Sequence, residues 1–375
     1  MRVLLLITKG EIGGAQIFVA NLAKGLKNTN KKEVISTIAC GSGDFLFEFA
    51  QREGINFQRI KSLRRSSGLL ANINFLFSFL RYLKKNRFEI IHLNSSNTLL
   101  GAIMAKLVNM RTKVVFTVHG LSILDPNYQA NYFKKLLFKA FFNFSFSFVD
   151  EIVFVSQKNM DLFVKDNKVW ANKCHLAYNG IKVDYFSRGE ARRFMFNKIG
   201  LRDEGQFLIG STGRLAYPKN YEFLIENFPE ILKIKPNAKL ILIGEGPERS
   251  KYEKIVEKKA LQGFVFILGE IAEAGRYLKG LDLFVLPSIY EGLSISLIEA
   301  YLSGVRSMAS LVGGNEEIIG KENCFKLNDL ADFLAVFWSV LDEQKSCTDK
   351  NQYNLNKNKF LVEVMVNKYL DIYEG

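Results

Sequence analysis

Ser288-Ile289-Tyr290-Glu291-Gly292-Leu293-Ser294-Ile295-Ser296-Leu297-Ile298-Glu299-Ala300 is the stretch whose reading decides the fold. It follows an apolar run over 281–287, too short for a helix and bounded by a turn signal, which reads as a buried strand. Gly292 opens a turn, Ser294 is placed to cap, and Ile295, Leu297, Ile298 and Leu302 give the helix that follows an inward face. Strand, glycine turn and helix start together make an anion site, because unpaired amide N–H groups and the positive end of the helix dipole converge there.

Two carboxylates sit awkwardly in such a place unless they have partners. Glu291 lies on the turn, and Glu299 follows roughly two helical turns later. Glu299 reads either as an exposed helix residue or as a ligand contact. Its neighbours Ile298 and Ala300, on a helix expected to pack on the sheet, favour the second reading. Carboxylates at a helix start can accept hydrogen bonds from sugar hydroxyls while the amides hold a phosphate. That chemistry suggests a nucleotide sugar.

Outward from this stretch, the second half alternates strands over 207–210, 240–244, 265–268 and 282–287 with helical segments. The first of these strands runs into Gly213-Arg214-Leu215-Ala216-Tyr217-Pro218-Lys219-Asn220. An arginine fork and a lysine point charge five residues apart, at a strand-to-helix junction, can converge on one phosphate pair. The first half repeats the alternation, with strands over 3–8, 34–39, 90–94, 114–119 and 151–156 and helices over 15–26, 69–83, 99–108 and 132–144. The fold class is therefore α/β, built of doubly wound parallel sheets. The opening Met1-Arg2-Val3-Leu4-Leu5-Leu6-Ile7 lacks a cleavage site and reads as a strand, which points to a cytoplasmic protein.

Among the three histidines, His175 sits in a strand-like run and His92 inside Ile90-Ile91-His92-Leu93, both structural positions. His119 differs, because it ends a strand and precedes Gly120, and ligands bind at the carboxyl ends of strands in open α/β sheets. Gly10-Glu11-Ile12-Gly13-Gly14-Ala15 joins the first strand to a helix, where glycines let the backbone approach a ligand. Its match to the dinucleotide fingerprint is poor.

The chain has 375 residues, enough for two or three domains, and ordinary globular composition at 48% hydrophobic and 24% charged. No apolar run is long enough to span a membrane as a helix. Cys40, Cys174, Cys324 and Cys347 are scattered without metal spacing and read as reduced thiols, so no metal site is expected. The net charge of +13 is lopsided: 26 Lys and Arg against 12 Asp and Glu up to residue 187, then 25 against 26. Arg59, Lys61, Arg64 and Arg65, then Arg81, Lys84, Lys85 and Arg87, flank one apolar helix; Lys134, Lys135 and Lys139 interleave with Phe133, Leu136, Leu137, Phe138, Phe141 and Phe142. Two accounts fit: aromatic faces packing on the sheet, or a peripheral face against anionic membrane. They are compatible on opposite faces of one helix. No nucleic-acid-binding module occurs, so nucleic acid is not expected as a partner.

Glu291-Gly292-Leu293 through Glu299-Ala300, then Ser303-Gly304 and Gly313-Gly314-Asn315-Glu316-Glu317-Ile318-Ile319, resemble the donor-site signature of retaining glycosyltransferase family four. The resemblance covers essentially the whole chain. It implies GT-B architecture, two Rossmann-like parallel-sheet domains facing a central cleft. Residues 1–184 would bind acceptor, 185–204 would be a linker, 205–350 would bind the nucleotide-sugar donor, and a C-terminal helix within 351–375 would cross back to the first domain. The family pattern places Gly13 and Gly14 beside the donor diphosphate, and Arg214 and Lys219 on that diphosphate. It places Glu245 on the nucleotide side, Gly292, Leu293 and Ser294 at the donor, Glu291 on the sugar hydroxyls and Glu299 on the ribose. Val118-His119-Gly120 resembles the family's Val-His-Gly element, whose histidine places and polarises groups at the reaction centre. The implied reaction is metal-independent transfer with retention, without an enzyme nucleophile or a cofactor. The expected donor is a nucleotide diphosphate sugar (UDP by default) and the acceptor a saccharide carried on a lipid, in bacterial surface polysaccharide or lipopolysaccharide assembly at the inner membrane face. A non-catalytic membrane-associated subunit and a nucleotide-sugar epimerase are the alternatives. Lys182 stands where the family commonly has aspartate, and Ser294, Leu311 and Asn94 depart from its usual residues.

Overall fold

The computed structural model describes residues 1–29, 33–64, 69–128, 131–342 and 357–375. They fall into two compact units, Met1–Ile181 with Lys359–Gly375, and Lys182–Asn358. The expected boundary at 350–351, Arg65, Cys347 and the side chain of Lys134 lie outside the described residues.

The first unit is a seven-stranded sheet of β1 (Arg2–Lys9), β2 (Ile35–Ser42), β3 (Asn56–Arg59), β4 (Ile90–Leu93), β5 (Lys113–Val118), β6 (Glu151–Phe154) and β7 (Cys174–Leu176). Every pairing is parallel, in the order β3-β2-β1-β4-β5-β6-β7. Parallel strands are covered on both faces and so read as continuous apolar runs, as β1 does. Alternation along β1 then sorts its side chains. Val3, Leu5 and Ile7 pack with the helices Gly14–Lys27 and Val362–Glu374, while Leu4 and Leu6 join the core under Leu69–Lys85, Leu100–Val108 and Tyr132–Phe146. The short edge strand β3 was not anticipated, since it carries no run of buried apolar residues, whereas β7 holds the strand-like run around His175.

His92 is a core histidine. It is fully buried, Nδ1 lies 2.7 Å from the Tyr373 hydroxyl, and Nε2 lies 2.7 Å from Thr117 Oγ1. The Tyr369 hydroxyl meets the same Thr117 at 2.8 Å. The last helix is thereby bonded to β4 and β5, and burial holds the His92 pKa well below its ordinary value.

The second unit has β8 (Phe207–Thr212), β9 (Ala238–Ile243), β10 (Val265–Ile267), β11 (Leu283–Leu286), β12 (Ser307–Ser310) and β13 (Cys324–Phe325), all parallel, in the order β10-β9-β8-β11-β12-β13. Both sheets thus follow the same doubly wound order, which reverses between β1 and β4 in one unit and between β8 and β11 in the other. Ligands bind outside the strand ends at such reversals. Residues 185–204, expected as a linker, instead hold the helix Arg188–Ile199. Ser187 and Glu190 close a capping box at its start, and Ala191, Met195, Phe196 and Ile199 are buried. Arg192 bonds Asp203 at 2.6 Å and Asp282 at 3.0 Å, tying the segment to the sheet of the second unit.

Among the described residues, no helix is long and apolar enough to cross a membrane. Cys40 and Cys174 are free thiols.

Candidate functional site

In the second unit the reversal point gathers residues from two adjacent strand ends. The β8 loop carries Gly213, Arg214 and Lys219; the β11 loop carries Ser288, Glu291 and Gly292. Three contacts lock them together. Asn220 Nδ2 donates to the Pro287 carbonyl at 3.0 Å, the Ile289 N–H donates to the Pro218 carbonyl at 2.8 Å, and Lys219 Nζ meets Glu291 Oε1 at 2.7 Å. Ser288 Oγ donates to that same Glu291 oxygen at 2.7 Å. The Lys219 and Glu291 side chains are only 20% and 13% exposed, so this is a largely desolvated ion pair. Burial disfavours the Lys219 ammonium, but the charge and hydrogen bond of Glu291 together with Tyr221 outweigh it and raise the lysine pKa.

Glycine is required around this pair by close approach. Gly313, at φ +51°, sits where a Cβ would lie 2.1 Å from the Glu291 carbonyl oxygen, and the Gly314 N–H donates to the Gly292 carbonyl at 2.8 Å. Gly244, at φ +150°, backs onto the Gly213 carbonyl oxygen, 2.0 Å from the position of a Cβ. The β9 loop is therefore packed against the β8 loop, and Leu215 N–H donates to the Glu245 carbonyl at 2.9 Å.

Arg214 is exposed, and its guanidinium has no hydrogen-bond or ion-pair partner among the described residues. Since Lys219 and Glu291 cancel, Arg214 and the first-turn amides of the helix Ile295–Ser303 supply the local positive potential. Ser294 occupies the N-cap position, but its hydroxyl bonds Ser296 Oγ at 3.1 Å rather than a backbone amide. The expected side-chain cap is absent, which leaves those amides to a ligand or to water. Glu245 is paired with Arg249, one helical turn on, which in turn bonds Glu253 at 2.8 Å.

Glu299 is not an exposed helix residue. Its carboxyl lies against Gly275, where a Cβ would stand 2.7 Å from Cδ, and it has no polar partner among the described residues. Burial raises its pKa from 4.5 to about 7. The folded chain therefore keeps a proton that the unfolded chain releases, so stability falls as pH rises from about 4.5 to about 7 and then levels off. Glu299→Gln removes this dependence. In urea melts of the ligand-free protein, the variant should gain on the wild type across that window by at most about 3 kcal/mol.

In the first unit, Gly13 precedes the helix Gly14–Lys27 in extended backbone, and its Cβ would meet only the movable tip of Gln16. The closer approach is at Gly10, where a Cβ would lie 2.8 Å from Cys40 Sγ and 2.9 Å from the Gly43 carbonyl. His119 stands just beyond β5 and packs edge-on against Phe18 of that helix, with ring centroids 4.7 Å apart. Its Nε2 lies 3.3 Å from Asn94 Oδ1, and burial drives its pKa down to about 3. The structure thus joins Lys219 and Glu291 at the ends of β8 and β11, with Arg214, Gly292, Leu293 and Ser294 on the same two loops and Glu245 on the adjoining β9 loop. Glu299 lies farther along the helix Ile295–Ser303 against Gly275, and Gly13, Gly14 and His119 stand beyond β1 and β5 of the first unit. The sequence reading overlooked Ser288 and Gly275. Ser288 begins the quoted stretch and was open to recognition, whereas Gly275 carries no local signal.

Among the described residues, no three His, Cys, Asp or Glu side chains group to hold a metal ion. Residues 193–357 match the family model described as glycosyl transferases group 1, and residues 12–185 match the one described as glycosyltransferase family 4. The chain is 26% identical over 323 residues to an Escherichia coli UDP-Gal:alpha-D-GlcNAc-diphosphoundecaprenol alpha-1,3-galactosyltransferase, spanning 84% of this chain and 82% of that one. It is also 26% identical over 212 residues to a Campylobacter jejuni N-acetylgalactosamine-N,N'-diacetylbacillosaminyl-diphospho-undecaprenol 4-alpha-N-acetylgalactosaminyltransferase, spanning 56% of this chain and 54% of that one. In structure, it superposes on Anabaena HepE, crystallised with UDP and glucose, with a TM-score of 0.82 at 18% identity and full coverage of both chains.

Proposed function

This chain belongs to the group 1 glycosyltransferases of family four, with the GT-B fold, and from that premise we propose that it moves a sugar from a UDP-sugar to a saccharide carried on a lipid diphosphate, with retention of configuration. The observation that carries the donor assignment is the reversal point of the second sheet. There Arg214, unpaired among the described residues, shares the β8 loop with Lys219 of the buried Lys219–Glu291 pair, and the helix with open first-turn amides follows the β11 loop. Departure of a nucleoside diphosphate builds negative charge, and fixed cations and amides stabilise it without reorganising. No metal or cofactor is invoked, because these groups supply that charge. Glu291 would accept from sugar hydroxyls. Glu299 would shed its proton to accept from the ribose hydroxyls, so nucleotide affinity should rise with pH through about 7. The acceptor assignment draws on the undecaprenyl diphosphate substrates named for both relatives.

The test is a transfer assay with UDP-sugars and a lipid-diphosphate saccharide, reading the anomeric configuration of the product by NMR. Product of the donor's own anomeric configuration is expected. Inverted product, or turnover of donor without acceptor, contradicts the reading.

Peripheral membrane contact belongs to the same proposal. On the helix Tyr132–Phe146, Phe133, Leu136, Leu137 and Phe144 are spaced to share one face and are 74%, 50%, 73% and 60% exposed. No acidic residue occurs in that helix or in Leu69–Lys85 and Leu100–Val108, which cover the same side of the sheet. An apolar stripe amid lysines suits an anionic bilayer surface. Flotation with phosphatidylglycerol vesicles should be lost in the Phe133→Ser/Leu137→Ser variant, and an unchanged bound fraction counts against this face.

A further inference from the structure

His119 and Asn94 form a unit whose chemistry is fixed by the backbone beneath it. Asn94 follows β4 and is 1% exposed, and its N–H donates to the Leu6 carbonyl at 2.9 Å. Its side-chain Nδ2 donates to the His92 carbonyl at 3.1 Å. A carbonyl only accepts, so the amide cannot turn over without setting two acceptors against each other. Oδ1 must then face His119, 3.3 Å from Nε2. An amide oxygen also only accepts, so Nε2 must carry the hydrogen. In a neutral ring, Nδ1 is then the acceptor, and among the described residues it has no partner.

We propose that Asn94 is a positioning residue that holds His119 as the Nε2–H tautomer, so that His119 Nδ1 accepts a hydrogen bond from a sugar hydroxyl bound at the carboxyl end of β5. Such a ring repels an oxyanion at Nδ1, so it selects a hydroxyl over a phosphate oxygen. Burial keeps the ring neutral at any working pH, and desolvation alone accounts for its lowered pKa; the ring in turn lowers the pKa of the buried His92. Phe18 on one side of the ring adds no charge. The hydroxyl's identity as part of a sugar rests on the function proposed above. The tautomer does not.

The experiment uses full-length protein labelled with 15N-histidine. The chain has only three histidines, so spectra of His119→Ala and His92→Gln variants assign the ring signals. Long-range 15N–1H correlation should show His119 with protonated Nε2 and bare Nδ1 from pH 6 to 8. In Asn94→Ala the two tautomers should mix. A wild-type ring protonated at Nδ1, or an Asn94→Ala ring still wholly Nε2–H, overturns the proposal. Asn94→Asp places a carboxylate beside the ring and should favour its imidazolium form, giving transfer a new pH dependence near neutrality. A flat kcat against pH in Asn94→Asp, with the NMR outcome as expected, would remove the catalytic consequence while leaving the tautomer standing. If no transfer is detected in wild type either, the function fails and the tautomer stands on the spectra alone. Should Asn94→Ala unfold, Asn94→Ser serves in its place.

Discussion

Lys219→Ala should destabilise the second unit by about 3–5 kcal/mol and abolish transfer, because it leaves the Glu291 carboxylate buried without its countercharge. The pair itself is a poor source of stability, since desolvating two ions costs about as much as their attraction returns. The double variant Lys219→Met/Glu291→Gln should therefore melt within about 1.5 kcal/mol of wild type, while remaining inactive. Urea denaturation followed by tryptophan fluorescence separates the cases, provided the second unit's Trp338 reports its unfolding. A double variant as unstable as the single would mean that the pair organises the loops by something other than charge. The conservative Lys219→Arg should not rescue, because a planar fork replaces the point charge that meets Glu291 Oε1 alongside the Ser288 hydroxyl.

Arg214→Ala should behave in the opposite way. Its side chain is exposed and bonded to nothing described, so the melt should stay within about 0.5 kcal/mol of wild type. Transfer should nonetheless fall by about 10²–10³ in kcat, the typical effect of removing one fixed charge from a transition-state site. A lysine at this position should restore only part of the rate, since it offers a point charge where the diphosphate would take a fork. Initial rates at saturating donor, measured alongside the melt, read both quantities. If kcat falls no more than the melt accounts for, Arg214 is surface and the site lies elsewhere.

Much of this was legible in the sequence for a physical reason. Parallel strands covered on both faces write continuous apolar runs, so β1, β4, β5, β8, β9 and β11 stood out. The strand–glycine–helix pattern around Gly292 was equally readable, and the structure has β11, the turn and the helix Ile295–Ser303 there. What was missed followed from tertiary context. β12 is buried along its length yet reads Ser307-Met308-Ala309-Ser310, because Ser310 donates to the Ser288 carbonyl instead of packing as an apolar side chain. The Lys219–Glu291 pair joins residues 72 apart that only the adjacency of β8 and β11 brings together. Ser294 looked like a cap because its residue type is a cap, and the neighbouring Ser296 hydroxyl took the bond instead. The helix at Arg188–Ile199, like Ser288, was an avoidable miss: Ser187 with Glu190 three residues later is a capping-box signature, masked by the charge of the segment.

The central claim is that the reversal point between β8 and β11 holds a nucleoside diphosphate. Thermal melts with UDP, GDP and ADP, on wild type, Arg214→Ala and Glu299→Gln, test it without any acceptor. At about 100 times its dissociation constant a ligand adds about 2.7 kcal/mol, a shift of a few degrees for units of this size. The account predicts that UDP raises the wild-type midpoint, that the shift shrinks in both variants, and that in wild type it grows as pH rises through 7. Flat melts with all three nucleotides, or a UDP shift untouched by both substitutions, would contradict it.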